Sequence, residues 1–145
     1  MSGIVVGIDG SHHANRALEW AMAEAAIRKT QLTVITVLPE PVSQWTGRPA
    51  PLGGEAERIA EIRKSAEAAV AATAAKLGGG QTESVTVTAV AGFPVETLLK
   101  ASKDSDMLVV GTRGGGGFAS LVLGSVSNQV VHHASCPVVV VPAGT

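Results

Sequence analysis

The fold this sequence predicts is an open, doubly wound α/β sandwich, and three patterns carry the prediction. Five short apolar, β-branched runs alternate along the chain with four stretches of helical periodicity. Most of the runs are continuous in Val and Ile rather than strictly alternating, so their sheet is covered on both faces. That requires parallel strands joined by right-handed helical crossovers. Glycine-bearing turns follow the first and fourth runs, where such a sheet opens its crevice.

The first strand is read over residues 3–8, GIVVGI, and ends at Asp9-Gly10-Ser11, a turn former followed by a helix N-cap. Ala14, Ala17, Leu18, Ala21, Met22 and Ala25 then recur at helical spacing, one apolar stripe on a helix that closes near Lys29. LTVITVL, residues 32–38, is β-branched and short, a second strand stopped by Pro39 and Pro41. From Pro39 to Gly54 the chain holds four prolines and three glycines, a connection long enough to be a candidate lid. Ile59, Ile62, Ala66, Ala69, Val70, Thr73 and Leu77 mark one face of a second helix, with charges opposite, and Gly78-Gly79-Gly80 ends it. Residues 84–91 form the third strand, 95–103 a helix after Pro94, 107–111 the fourth strand, 125–134 the last helix and 137–141 the final strand. A length of 145 residues fits one domain, expected over 1–145.

Composition narrows the function classes. Eleven Lys and Arg against 12 Asp and Glu give a formal net charge of −1, so no broad positive field draws nucleic acid or an anionic membrane. The start, MSGIVVGIDG, carries Asp9 and no cationic region before a long apolar run, so neither a secretion signal nor a membrane span is expected, and the cytoplasm is the default compartment. Cys136 is the one cysteine, which rules out an intrachain disulfide and a cysteine-built zinc cluster and suits a small core position before Pro137. His12-His13 and His132-His133 do not make metal pairs, because helical neighbours point about 100° apart. Trp20 is expected against the sheet, and Trp45 lies in the long connection.

The stretch GTRGGGGFASLVLGS, residues 111–125, places five glycines in seven positions directly after the fourth strand. Glycine lets backbone N–H groups approach an anion, and a following helix adds free N–H donors and a positive dipole end. Together with IDGS after the first strand it marks a phosphate site at the carboxyl ends of the strands. The usual fingerprints are missing: there is no G-x-x-x-x-G-K-[ST], and no G-x-G-x-x-G follows the first strand, which disfavours a P-loop NTPase or a dinucleotide-dependent dehydrogenase. Each residue also has an ordinary role. Asp9 fits a turn, Ser125 and Ser127 fit a helix start, and Arg113 fits a solvated loop.

Over its whole length the chain resembles the universal stress protein family. ATP-binding members carry G-x2-G-x9-G-[ST], met here by Gly111, Gly114, Gly124 and Ser125; VVGIDGS, DMLVVGTRGGGGF and GSVSNQVVHHASCPVVVVP follow in the expected order. The resemblance implies a three-layer sandwich of the adenine nucleotide alpha hydrolase-like type, with five parallel strands in order 3-2-1-4-5, four helices, and nucleotide between the ends of strands one and four. On matching positions, Ile8 and Asp9 would face the nucleoside and the backbone of Val37 the adenine. Gly111, Arg113 and Gly114 would follow ribose and the first phosphate, and Gly124, Ser125, Val126 and Ser127 the outer phosphates, with Val110 and Gly117 also among the nucleotide-binding positions. Gly115, Ser120, Ala14 and Thr36 depart from residues frequent in the family.

The implied cofactor is ATP, with magnesium held through its phosphates rather than by a protein cluster. The implied partner is a second copy of the chain, docking through residues 137–142. The expected function is an ATP-binding stress-response regulatory module rather than an enzyme, since the loop holds no Lys, Asp, Glu or His and neither H-x-G-H nor S-G-G-x-D-S occurs. The alternatives are a slow ATPase or a dimeric interaction module that uses no nucleotide.

Overall fold

The computed structural model describes residues 3–9, 12–39, 54–78, 84–112 and 125–142. The elements are β1 (Ile4–Ile8), α1 (His12–Arg28), β2 (Leu32–Pro39), α2 (Glu55–Lys76), β3 (Val85–Gly92), α3 (Pro94–Ser102), β4 (Met107–Gly111), α4 (Ser125–His133) and β5 (Val138–Val141). Neighbouring strands pair in parallel in the order β3-β2-β1-β4-β5, as the resemblance implies. β1 is central: Ile4 stands opposite Leu32 of β2 on one side and Met107 of β4 on the other. The direction of winding reverses between β1 and β4, so their carboxyl ends diverge and leave a crevice.

Each helix starts and stops for a local reason. α1 ends where Lys29 takes the left-handed conformation at φ 55. The Thr30 N–H then reaches the Ala25 carbonyl at 3.1 Å and the Lys29 N–H reaches that of Ala26 at 3.3 Å, a Schellman closure without glycine. α2 begins after Gly54 at φ 64 and carries Glu55 and Glu57 in its first turn, where the helix dipole favours carboxylates. Gly78 at φ 103 follows its last turn, the release expected of the glycine run. Pro94 opens α3, its fixed φ suiting a first helical position and its missing N–H going unneeded there. Pro39 is the last residue of β2, in register with Gly92, rather than a stop before the strand ends.

Alternation along the strands separates two cores. Ile4, Val6 and Ile8 of β1 point to the α1 and α2 side with Leu18, Met22, Leu32, Val34 and Val109, while Val5, Ile35, Leu108 and Val110 point to the α3 and α4 side with Leu98 and Val130. Trp20 is half-buried against the first core, as expected. Cys136 packs against the second, half-buried rather than interior. Arg63 leans from α2 onto the edge strand β3, where its Nη1 donates to the Val87 carbonyl at 3.1 Å. Among the described residues no helix is long and apolar enough to cross a membrane. The expected lid (apart from its end residues Pro39 and Gly54), Trp45 and Gly79-Gly80 lie outside the described residues.

Candidate functional site

A cavity of about 380 Å³ opens at the carboxyl end of the sheet on the α3 and α4 side. Five elements bring residues to it, α3 with Pro94 and Leu98 among them. The end of β1 supplies Ile8 and Asp9, β2 supplies Val37, β4 ends in Val110 and Gly111, and the first turn of α4 adds Ser125, Val126 and Ser127. Eight of the positions singled out from the sequence therefore share one cavity. Arg113, Gly114, Gly117 and Gly124 lie outside the described residues.

The cavity has an apolar half and a polar half. Ile35, Val37, Leu98 and Val110 line it from the second core, with Pro39 and Pro94 beside them. Opposite stand the Asp9 carboxylate and the start of α4, whose first four N–H groups have no partner within the helix. A site of this kind suits a molecule with a flat apolar part and an anionic tail.

Ser127 is 3% exposed and its Oγ donates to the Thr112 carbonyl at 2.7 Å. That bond ties the first turn of α4 to the end of β4, and the Thr112 N–H in turn donates to the Val141 carbonyl at 3.1 Å. Thr112 Oγ1 is buried and makes no hydrogen bond to another described residue.

Gly7, Leu98, Pro94, Ile35 and Pro39 were not singled out from the sequence. A Cβ at Gly7 would stand 2.9 Å from Leu98 Cδ2 and 3.0 Å from Cδ1, so the bare strand position is what lets Leu98 lie flat as the floor of the cavity. The signal was present as a glycine inside an apolar strand, which marks a close approach; its partner lies far along the chain and no local pattern reveals it.

Other groups stay apart from the cavity. His132 and His133 are exposed, with ring centroids 6.4 Å apart and tilted by 51°, and among the described residues no cluster of His, Cys, Asp or Glu could hold a metal ion. Burial, helped by the Asp106 carboxylate, pushes the Cys136 thiol above its ordinary range, which favours its protonated form.

Three layers around a parallel sheet of this order, with a cavity where the winding reverses, define a doubly wound α/β sandwich open at its carboxyl edge. Within that class the chain belongs to the universal stress protein family, whose family model matches residues 1–142. Universal stress protein Rv2005c of Mycobacterium tuberculosis (strain ATCC 25618 / H37Rv) is 35% identical over 139 residues, covering 96% of this chain and 47% of its own length. The chain thus spans about half the length of the curated relatives it matches. The crystal structure of a universal stress protein in complex with cAMP superimposes with a TM-score of 0.66 at 26% identity, covering 99% of this chain and 98% of the other. The Archaeoglobus fulgidus universal stress protein in complex with dAMP has the same fold, with a TM-score of 0.66 at 23% identity over 97% of each chain.

Proposed function

We propose that this protein is an ATP-binding regulatory module that works by occupancy rather than turnover. The observation that carries the reading is the convergence of Asp9, Gly111 and the first turn of α4 on one cavity with an apolar floor. Adenine would lie between Val37 and Leu98, the ribose beside Asp9 and Gly111, and the phosphates against the N–H groups of Ser125, Val126 and Ser127. Arg113, Gly114, Gly117 and Gly124 would complete the phosphate cradle, and magnesium would be held by the phosphates. The cAMP complex of a relative that covers nearly the whole chain supports an adenine nucleotide as the ligand class.

Magnitudes favour shared work over any single contact. A helix dipole contributes about 0.3–1 kcal/mol toward a charge at an exposed site. Micromolar affinity takes about 8 kcal/mol, so the apolar floor must carry much of it. Asp9 is the one ionisable side chain among the described residues lining the cavity, and the reading is of binding rather than hydrolysis. A homodimer through residues 137–142 is part of the same proposal, since β5 is an edge strand of half-buried valines.

The test is the small-molecule content of purified and then denatured protein, together with thermal melting in millimolar ATP and magnesium. Adenine nucleotide near equal stoichiometry and a raised melting temperature are expected. No bound nucleotide and no shift would overturn the reading in favour of a nucleotide-independent interaction module, and ADP accumulating over minutes would make the protein a slow ATPase.

A further inference from the structure

Charge is distributed unevenly along this chain. All 11 Lys and Arg and all 12 Asp and Glu fall at or before Arg113. Helices α1, α2 and α3 each carry side chains of both signs, whereas α4 reads SVSNQVVHH and β5 reads VVVV, with no Asp, Glu, Lys or Arg in either. For an interior strand that is ordinary. For α4 it is not, because Asn128, Gln129, Val131 and His132 are exposed, and the solvent face of a helix normally carries charge.

The uncharged face adjoins the β5 margin. Val126 and Val130 of α4 pack in the same core as Val138 and Val140 of β5. Val131 follows Val130 by one helical step of about 100°, which in a right-handed helix running antiparallel to the strands turns it toward the β5 side. It is 42% exposed there. The other exposed large apolar side chains among the described residues lie elsewhere: Ile27 on α1, beside the Glu24–Arg28 ion pair, and Phe93 at the head of α3.

A stable interface takes about 800 Å² and some 20–30 residues from each partner. Edge-to-edge pairing of β5 offers four. A contact about a twofold axis also brings residues near the axis onto their own copies, so any charge there would meet its own sign. A face emptied of charge escapes that repulsion, and charge depletion is what marks the core of an interface. We propose that the homodimer contact spreads from β5 onto the outer flank of α4, with Val131 of each copy packed against the other beside the twofold axis. The partner is a second copy of this chain. The proposal rests on the homodimer reading and adds to it the helix that completes the surface.

Sedimentation of the full chain tests it, with circular dichroism to verify that each variant folds. Val131→Glu and Val131→Lys should each raise the dimer dissociation constant at least about tenfold, because each sets like charges against one another. An equimolar mixture of the two should recover the dimer, since unlike charges then meet. Ile27→Glu, the same change at an exposed apolar position on α1, should leave the constant unchanged. A monomeric parent chain would overturn the homodimer reading and this proposal together. A dimeric parent whose Val131→Glu variant dimerises equally well would overturn this proposal alone, as would a mixture that stays monomeric.

Discussion

The two faces of the sheet divide the work of the molecule. On one side α1 and α2, of 17 and 22 residues, seat Leu18 and Met22 against Val6, Val34 and Val109, all essentially without exposure. On the other side α3 and α4 have nine residues each, and the apolar layer they cover runs out into the cleft. Long helices supply burial, and burial supplies stability; among the described residues the short helices leave a larger hollow at the strand ends. The contrast teaches that stability and binding can be changed separately here by choosing the face.

The sharpest way to break this division is a truncation on the long-helix face. Met22→Ala should lower stability by about 2–5 kcal/mol in urea unfolding while leaving the ATP affinity of the folded protein unchanged. A large loss of affinity with the same mutation would mean that the faces are not independent. Next in size, Gly7→Val drives a side chain into Leu98, which lines the cleft. ATP affinity measured by calorimetry should fall at least about tenfold, with a stability cost of about 1–3 kcal/mol from overpacking; unchanged affinity would remove Leu98 from the floor of the nucleotide site.

Smaller effects sharpen the picture on the short-helix face. Ser127→Ala leaves the buried Thr112 carbonyl without its 2.7 Å donor, and should cost about 1–3 kcal/mol in unfolding together with a few-fold loss of ATP affinity as α4 loosens from β4. Smallest is the titration of Cys136. Its folded thiol holds its proton to higher pH than the unfolded one, so the thiol's contribution to stability is complete below the unfolded value and is lost as pH climbs past it. Urea midpoints of the protein and of Cys136→Ala should therefore converge on the alkaline side, and iodoacetamide should label the folded thiol more slowly than the unfolded one.

Most of the fold was legible because it is written locally. The Val and Ile runs, Pro94 at a helix start and the stripe from Ala17 to Ala25 each describe their own neighbourhood, and the observed elements lie within a residue or two of where those patterns place them. The polar half of the site was legible for the same reason, since strand ends followed by Gly111 or by the first turn of α4 are local signals. The floor was not. Gly7 matters because of Leu98, and Leu98 because α3 lies over β1, a relation that exists only once the sheet has formed. The burial of the Thr112 hydroxyl, which makes no hydrogen bond to another described residue, is likewise a product of tertiary packing.

Arg63 bears on how copies of the chain can assemble. A sheet with two open margins can recruit molecules head to tail without limit, which is the geometry of a filament. With a guanidinium laid across β3 at Val87, that margin carries a fixed positive charge and has one carbonyl already taken, a poor template for an incoming strand. In the homodimer proposed above the β5 margin would be the one left to join, and two such margins meeting about a twofold axis would use each other up. Growth would then halt at a closed pair, with Arg63 on the far side of the molecule from that contact.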